Sequence, residues 1–418
     1  MSWINESDLQ ATTSLFASAQ MPSSALIDKL LREVEDAPEV VLDETTVEIY
    51  GQRLVEAARL LDGYPLTSNR VDRAESFHYL LLMTAYAVES AITNHDPLHP
   101  MWTAPGQSHL LDWGAASPDG VYRRATIRDD CSYRMWGQLG NAPYLSMDFR
   151  QSNPAVTLAR SDFDVDSEGN FEFFVGGEPR DGPWLPLQPG TTGIAAREFF
   201  DDWRGAKRSR FRIECLDSGT ISPSEWNAGR VAACFDVVSD WILEASIRFW
   251  MKKSTELAEI ALNSFRPELA RTETKLPAVT SGLWQLAPDE VLVIEFPGPE
   301  ADFWGLQLAS SLWHTLDYAN RFTSINQAQM QPEPNGMCRV VLSHRDPGLY
   351  NWLDTMGLEC GLMIIRFCGA AKASVPKTRL LKAADVGDEL RDARRCSSDE
   401  RHVQRSNRRE GVAHMVCD

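Results

Sequence analysis

Hydrophobic positions along this chain follow a helical period first, then a strand period, and then alternate between the two. Leu26–Val34, Thr45–Leu61 and Val71–Ile92 carry apolar side chains at i, i+3 and i+4, between breaker clusters such as DAPEV and DGYPLTSN. That spacing predicts helices. Ser68–Asn69 stands where the third helix needs a cap, and Phe77, Leu81, Tyr86 and Val88 form the stripe expected to face the core. From Tyr122 to Glu214 the pattern shortens to alternating runs bounded by Gly, Pro, Asp and Asn: VYRRATI, CSYRMWGQL, PYLSMDF, NFEFFVGG and SRFRIECL. These predict antiparallel strands. A helical stripe returns between Val231 and Phe265 through Phe235, Val238, Ile242, Ala245 and Phe249, and Pro267 ends it. After the polar linker PELARTETKLPAVTSG, strands are predicted for VLVIEF, FWGLQLA, SINQAQMQ, CRVVLS and GLMIIRF, the PEPNG turn joining two of them as a hairpin.

The fold class that follows is α+β. Residues 1–100 form a helical N-terminal region, 101–270 a strand-rich part with a long helix at 231–265, and 280–380 a second strand-rich part. The strands agree with β-sandwiches without choosing them over barrels. Residues 389–418 are polar and aperiodic, with Arg391, Arg394, Arg395, Arg401, Arg405, Arg408 and Arg409 among them. They are expected to form a disordered tail.

Charge narrows the partners. The formal net charge is −18, so there is no basic surplus to neutralise phosphates, and nucleic acid is not an expected partner. The opening MSWINESDLQATTS has acids where a secretory signal carries lysines. The most apolar stretch, Tyr79–Ile92, contains Glu89 and falls short of the ~20 residues a membrane span needs. A cytoplasmic protein without a membrane span is expected, with a homo-oligomer left open. Eight cysteines lie scattered without a CxxC pair, which favours reduced thiols over a zinc or disulfide framework.

Two blocks resemble a known family. The first runs through DRAESFHYLLLMTAYAVESAI, HDPLHP, VYRRATIRDDCSYRMWG and the WLPL–REFFDDW stretch; the second covers 303–367, including LDYANRFTS and SHRDPGLYNWLDT. Together they are similar to the bacterial "domain of unknown function 1214" family, often paired with the related domain of unknown function 1254, over roughly residues 70–380. The resemblance implies two β-sandwich lobes, the C-terminal one jelly-roll-like. It implies no reaction.

Candidate chemistry concentrates in the second block. His344 and Asp346 leave the strand CRVVL together, and a His and an Asp on such a loop can act as acid/base and orienter. The alternative is a solvated Asp-Pro-Gly turn. Arg321 and Asn320 are candidates to grip a polar substrate group, with Arg345 adding a second cation. Asp317 stands four residues before Arg321, where a helix would pair them. Trp304, Trp313 and Trp352 are expected to shape a pocket wall between the lobes, joined by Arg134 and Tyr122 of the first strand-rich part. His314, beside Trp313, reads as a packed histidine. His95 and His99 are four apart, but Pro97 prevents the helix that would aim both at a metal.

No P-loop, GxGxxG after a strand, GxSxG or HExxH is present. The reading is a cofactor-independent hydrolase, lyase or isomerase acting on a hydrophobic small molecule. The alternatives are a non-catalytic sandwich binding a lipid-like or carbohydrate ligand, and an accessory subunit. Convergence of His344, Asp346 and Arg321 around a cavity would separate the first from the others.

Overall fold

A computed structural model describes residues 38, 40–93, 96–104, 111–150, 156–223, 225–267, 276–370 and 373–417. The expected helix at Leu26–Val34 and His95 lie outside the described residues. The chain is α+β: helices at the N-terminal end precede mostly antiparallel sheets that form sandwich-like parts.

Helix α1 (Glu44–Asp62) begins where the Asp43 carboxylate accepts the Thr45 amide N–H at 2.9 Å. Helix α2 (Arg70–Thr93) begins as the sequence predicts, with Asn69 Oδ1 accepting from the Val71 and Asp72 amides. Its buried face meets the predicted stripe only at Tyr86. Tyr79, Met83, Tyr86, Ala87 and Ala91 are buried, while Phe77, Leu81 and Val88 are exposed, Leu81 by 71%. Both stripes have helical spacing. Small residues at 87, 90 and 91 let the true stripe pack closely against the next helices, which a count of large apolar residues misses.

The first lobe comprises β1 (Gly120–Thr126), β2 (Tyr133–Gln138), β3 (Tyr144–Arg150), β4 (Val156–Ala159), β5 (Asn170–Val175), β6 (Trp184–Leu185), β7 (Gly193–Phe199) and β8 (Arg210–Cys215). They form two four-stranded sheets, ordered β1-β7-β3-β4 and β6-β5-β2-β8. Met135, Phe171, Phe173, Val175, Met147 and Ile194 fill the space between them.

The predicted helix at 231–265 is three segments. Helix α3 (Ala228–Asp240) runs into a π-helical stretch, Trp241–Arg248, and then helix α4 (Phe249–Ile260). The wider π turn buries Trp241, Ile242, Leu243, Ala245 and Ile247 together, more than one α stripe allows. This unit packs with α1 and α2 against the C-terminal lobe rather than joining the first lobe's core.

The C-terminal lobe comprises β9 (Ala278–Gln285), β10 (Glu290–Pro297), β11 (Phe303–Ala309), β12 (Ser324–Asn326), β13 (Met337–Ser343), β14 (Trp352–Asp354), β15 (Cys360–Cys368) and β16 (Lys377–Lys382). These are eight strands, as in a jelly roll, in sheets ordered β14-β13-β10-β16 and β12-β11-β15-β9. In β15, Met363, Ile365 and Phe367 enter the sandwich while Leu362 and Ile364 meet the helices. Burial on both faces explains its unbroken apolar run. The PEPNG hairpin does not form. Glu333 and Met337 close a local turn, but β12 and β13 lie in different sheets, and the turn crosses the sandwich.

The expected disordered tail is a correction too. After the short helix α5 (Val386–Glu389), residues Ser398–Cys417 form helix α6. Arg401, Arg405 and Arg408 recur at helical spacing and stack on Phe322, with Arg401 also over Trp352 and Arg408 over Trp203. Arginine stems and guanidinium faces replace the apolar stripe of an ordinary packed helix, so the segment reads as solvated.

Candidate active site

The proposed His344–Asp346 pair is not assembled. His344 Nδ1 meets Thr355 Oγ1 at 2.8 Å and its Nε2 meets the Leu286 carbonyl at 3.2 Å, so both ring nitrogens have structural partners. Asp346 Oδ1 accepts the Gly348 amide N–H, forming the Asp-Pro-Gly turn, and the carboxylate also pairs with Arg401 of α6 at 2.9 Å. Arg345 is exposed. Arg321 pairs with Asp354 at 3.2 Å, not with Asp317, whose carboxylate closes a turn onto the Ala319 and Asn320 amides and the Asn320 side chain. The residues from 317 to 321 form a turn, not the helix that pairing requires.

The tryptophans are core. Trp304 meets Phe296 edge-on, Trp352 lies against Phe322, and Trp313 stacks on Trp250 with ring centroids 4.7 Å apart. All three are at least 90% buried. Arg134 pairs with Glu172 on the outer face of β2 and covers Trp136. Tyr122 packs on Phe199, and its hydroxyl accepts the Ser117 amide N–H at 2.8 Å. These residues do not converge on one pocket. His99, the other histidine of the 95–99 cluster, is held by Asp96 and the Ile221 carbonyl.

Titratable groups converge instead at His314, where α2, the loop 111–117 and the loop after β11 meet. Ser310 closes a tight turn, its amide donating to the His314 carbonyl at 2.8 Å and its carbonyl accepting from the Trp313 amide at 2.9 Å. That turn forces Trp313 to φ 60°, a conformation costly for a bulky side chain. The Trp313 carbonyl in turn accepts the Ala115 amide at 2.6 Å, and Ala115 also has positive φ, 51°. The Trp313 indole N–H donates to Ser254 Oγ of α4, which donates to the Ser311 carbonyl. Strained backbone is thus pinned from three sides, immediately beside the imidazole.

His314 is 2% exposed. Its Nδ1 lies 2.7 Å from Glu75 Oε1 of α2, and its Nε2 lies 3.6 Å from Asp112 Oδ1. Glu75 Oε2 also faces His78 Nδ1 at 3.4 Å. Burial pushes the Glu75 carboxyl upward, but hydrogen bonds and positive charge from His314 and His78 outweigh it and hold it at about 2. Asp112 is pushed up by burial, against the pull of His314 and of hydrogen bonds from Thr315 and the Ala116 amide. One imidazole therefore stands between a carboxylate kept ionised and one whose ionised form is disfavoured.

Behind Asp112 the network continues into the sheet. Thr315 Oγ1 contacts Asp112 Oδ2 at 2.7 Å, Gln307 donates to the Ala116 carbonyl at 3.1 Å, and Arg366 donates to the Ala115 carbonyl at 2.6 Å. Beside Glu75 the packing leaves only a narrow groove, bordered by Asp72, Ser76, Ser310, Ser311 and Cys360, with no enclosed space for a ligand. It is narrower than a pocket that encloses a whole small molecule. Burial raises Asp72, at its rim, to about 6.

Sequence reading missed this site for a definable reason. Glu75 and His78 are three apart on a helix and so share a face, but choosing the Phe77–Leu81 stripe as core turned that face outward.

No protein-family model matches the sequence, and no curated protein matches it. Among solved structures, an uncharacterized protein from Burkholderia cenocepacia is similar at 24% identity and TM-score 0.72, covering 81% of this chain and 97% of its own. That likeness shows a shared fold. A Vibrio parahaemolyticus protein aligns at 12% identity and TM-score 0.43, over 79% of this chain and all of its own. Among the described residues, no helix is long and apolar enough to cross a membrane.

Proposed function

We propose that the protein is a cytoplasmic enzyme that moves a proton on a small molecule, with His314 as the proton carrier. The observation that carries this reading is the placement of the buried His314 between Glu75 and Asp112, beside strained backbone. Glu75, held ionised, orients the ring and stabilises its charged form; Asp112 occupies the other side. The substrate proposed remains a hydrophobic small molecule. Among the described residues, Trp304, Trp313 and Trp352 offer no wall for it, being core.

The divergence of His344, Asp346 and Arg321 is what a non-catalytic sandwich predicts for that loop. The convergence at His314 favours the enzyme. Native mass spectrometry of the purified protein, with identification of molecules released on denaturation, tests the choice. A released molecule that wild type converts and His314→Asn binds unchanged supports an enzyme. A molecule held equally well by both and converted by neither makes the protein a binding module.

A further inference from the structure

We infer that Glu75, His78 and His314 form a binding site for a first-row divalent transition metal ion, with two histidines and one carboxylate as ligands. This concerns the same cluster as the proposed function but does not rest on it: a His314 that holds the ion is a ligand rather than the proton carrier, and binding is measurable without turnover. It departs from the expectation that no cofactor is used.

Each of the three residues offers one ligand atom, and these atoms all lie within 4.8 Å of one another. Around a tetrahedral ion with ligands at about 2.1 Å, neighbouring ligands sit roughly 3.4 Å apart. Glu75 Oε2 and His78 Nδ1 are already 3.4 Å apart. His314 Nδ1 meets the other carboxylate oxygen, Oε1, at 2.7 Å, so the Glu75 carboxylate turns or opens to present one oxygen to both rings, the ion taking the place of the shared proton, which is released. The two imidazoles meet nearly edge to face, at 81° with centroids 5.8 Å apart, so the rings converge without stacking.

Surrounding residues fit the same role. Asp112 lies 3.6 Å from the far nitrogen of His314 and is itself held by Thr315 and the Ala116 amide. A carboxylate behind a ligating histidine fixes the ring and its tautomer. The His78 side chain is 43% exposed, which supplies an entry path. Two nitrogens and one oxygen suit Zn²⁺, Co²⁺ or Fe²⁺ rather than Mg²⁺ or Ca²⁺. Three protein ligands leave coordination positions open, as catalytic sites do.

The test is calorimetric titration of the chelator-treated full-length protein with Zn²⁺, together with the visible spectrum on adding Co²⁺. Binding of one ion per chain is expected, with a tetrahedral or five-coordinate Co²⁺ spectrum. His78→Ala, at an exposed position that folding tolerates, should weaken binding at least 100-fold, and Asp112→Asn about 10–100-fold. His402→Ala, at an exposed residue of α6, should change nothing. No binding, or binding equally strong in His78→Ala, overturns the inference. If metal-free protein turns over its substrate in a His314-dependent way, the proton-carrier reading stands without the ion. If His78-dependent binding is found but His314→Asn turns over normally, the metal site stands and that reading falls.

Discussion

His314 Nδ1 lies 2.7 Å from Glu75 Oε1, a contact between residues 239 positions apart that joins helix α2 to the loop after β11. Forming it takes both carboxylate and imidazole largely out of water, a cost that their hydrogen bond and opposite charge offset. It therefore fixes the position of the N-terminal helices on the C-terminal lobe as well as the chemistry at their junction.

Glu75 should stabilise the fold in a pH-dependent way. Its carboxyl is depressed from 4.5 to about 2, so its contribution is fully present above about pH 4.5 and is lost as pH falls toward 2. The upper bound is about 3 kcal/mol, from 1.36 kcal/mol per unit. Urea denaturation of wild type and Glu75→Gln should differ most near pH 7, with the gap narrowing below pH 4.5. A gap that does not change with pH would place the effect in packing alone.

Asp119 should act with the opposite sign. It is buried between the lobes, accepting from Trp203 Nε1 at 2.8 Å and Asn326 Nδ2 at 2.6 Å, and burial raises its carboxyl from 3.8 to about 6. The folded state then holds a proton that the unfolded state has lost, so wild-type stability falls as pH rises from about 4 to 6. The loss is at most about 3 kcal/mol. Asp119→Asn should flatten that part of the stability curve. A slope equal to that of wild type would contradict the assignment.

Helix α6 should be structural. Arg401 pairs with Asp346 and Arg408 bonds the Tyr318 and Ser324 carbonyls at 3.0 and 2.6 Å, both guanidiniums buried against rings. Each carbonyl left without its buried guanidinium donor costs about 1–3 kcal/mol, while Asp346 is the exposed side of its ion pair and its loss costs less. Arg401→Ala, Asp346→Ala and truncation after Ser397 should each lower the melting temperature. A disordered tail would leave it unchanged on truncation.

What the sequence showed, and what it hid, divides along physical lines. Long runs of one period were legible: α1, α2 and β1, β2, β3, β5, β8, β10, β11, β13 and β15 fall where alternation or the i, i+4 stripe puts them. Hidden elements lacked such a period. Helix α6 packs through arginines, β14 has three residues, and β9 begins inside what reads as a polar linker. The His344 motif drew attention because His, Arg and Asp are adjacent in sequence, yet successive side chains on a strand end point to different places. The His314 cluster is assembled from residues 75, 78, 112 and 314, and no local pattern could bring those together.

The measurement that tests the account most directly is turnover in a metabolite extract, followed by mass spectrometry of the species consumed. Wild type, His314→Asn and His344→Asn are compared after circular dichroism shows all three folded. The account predicts that wild type and His344→Asn consume the same species at similar rates, and that His314→Asn is slower by about 10²–10⁴-fold. Loss in His344→Asn with activity retained in His314→Asn would contradict it and return the site to the loop after β13.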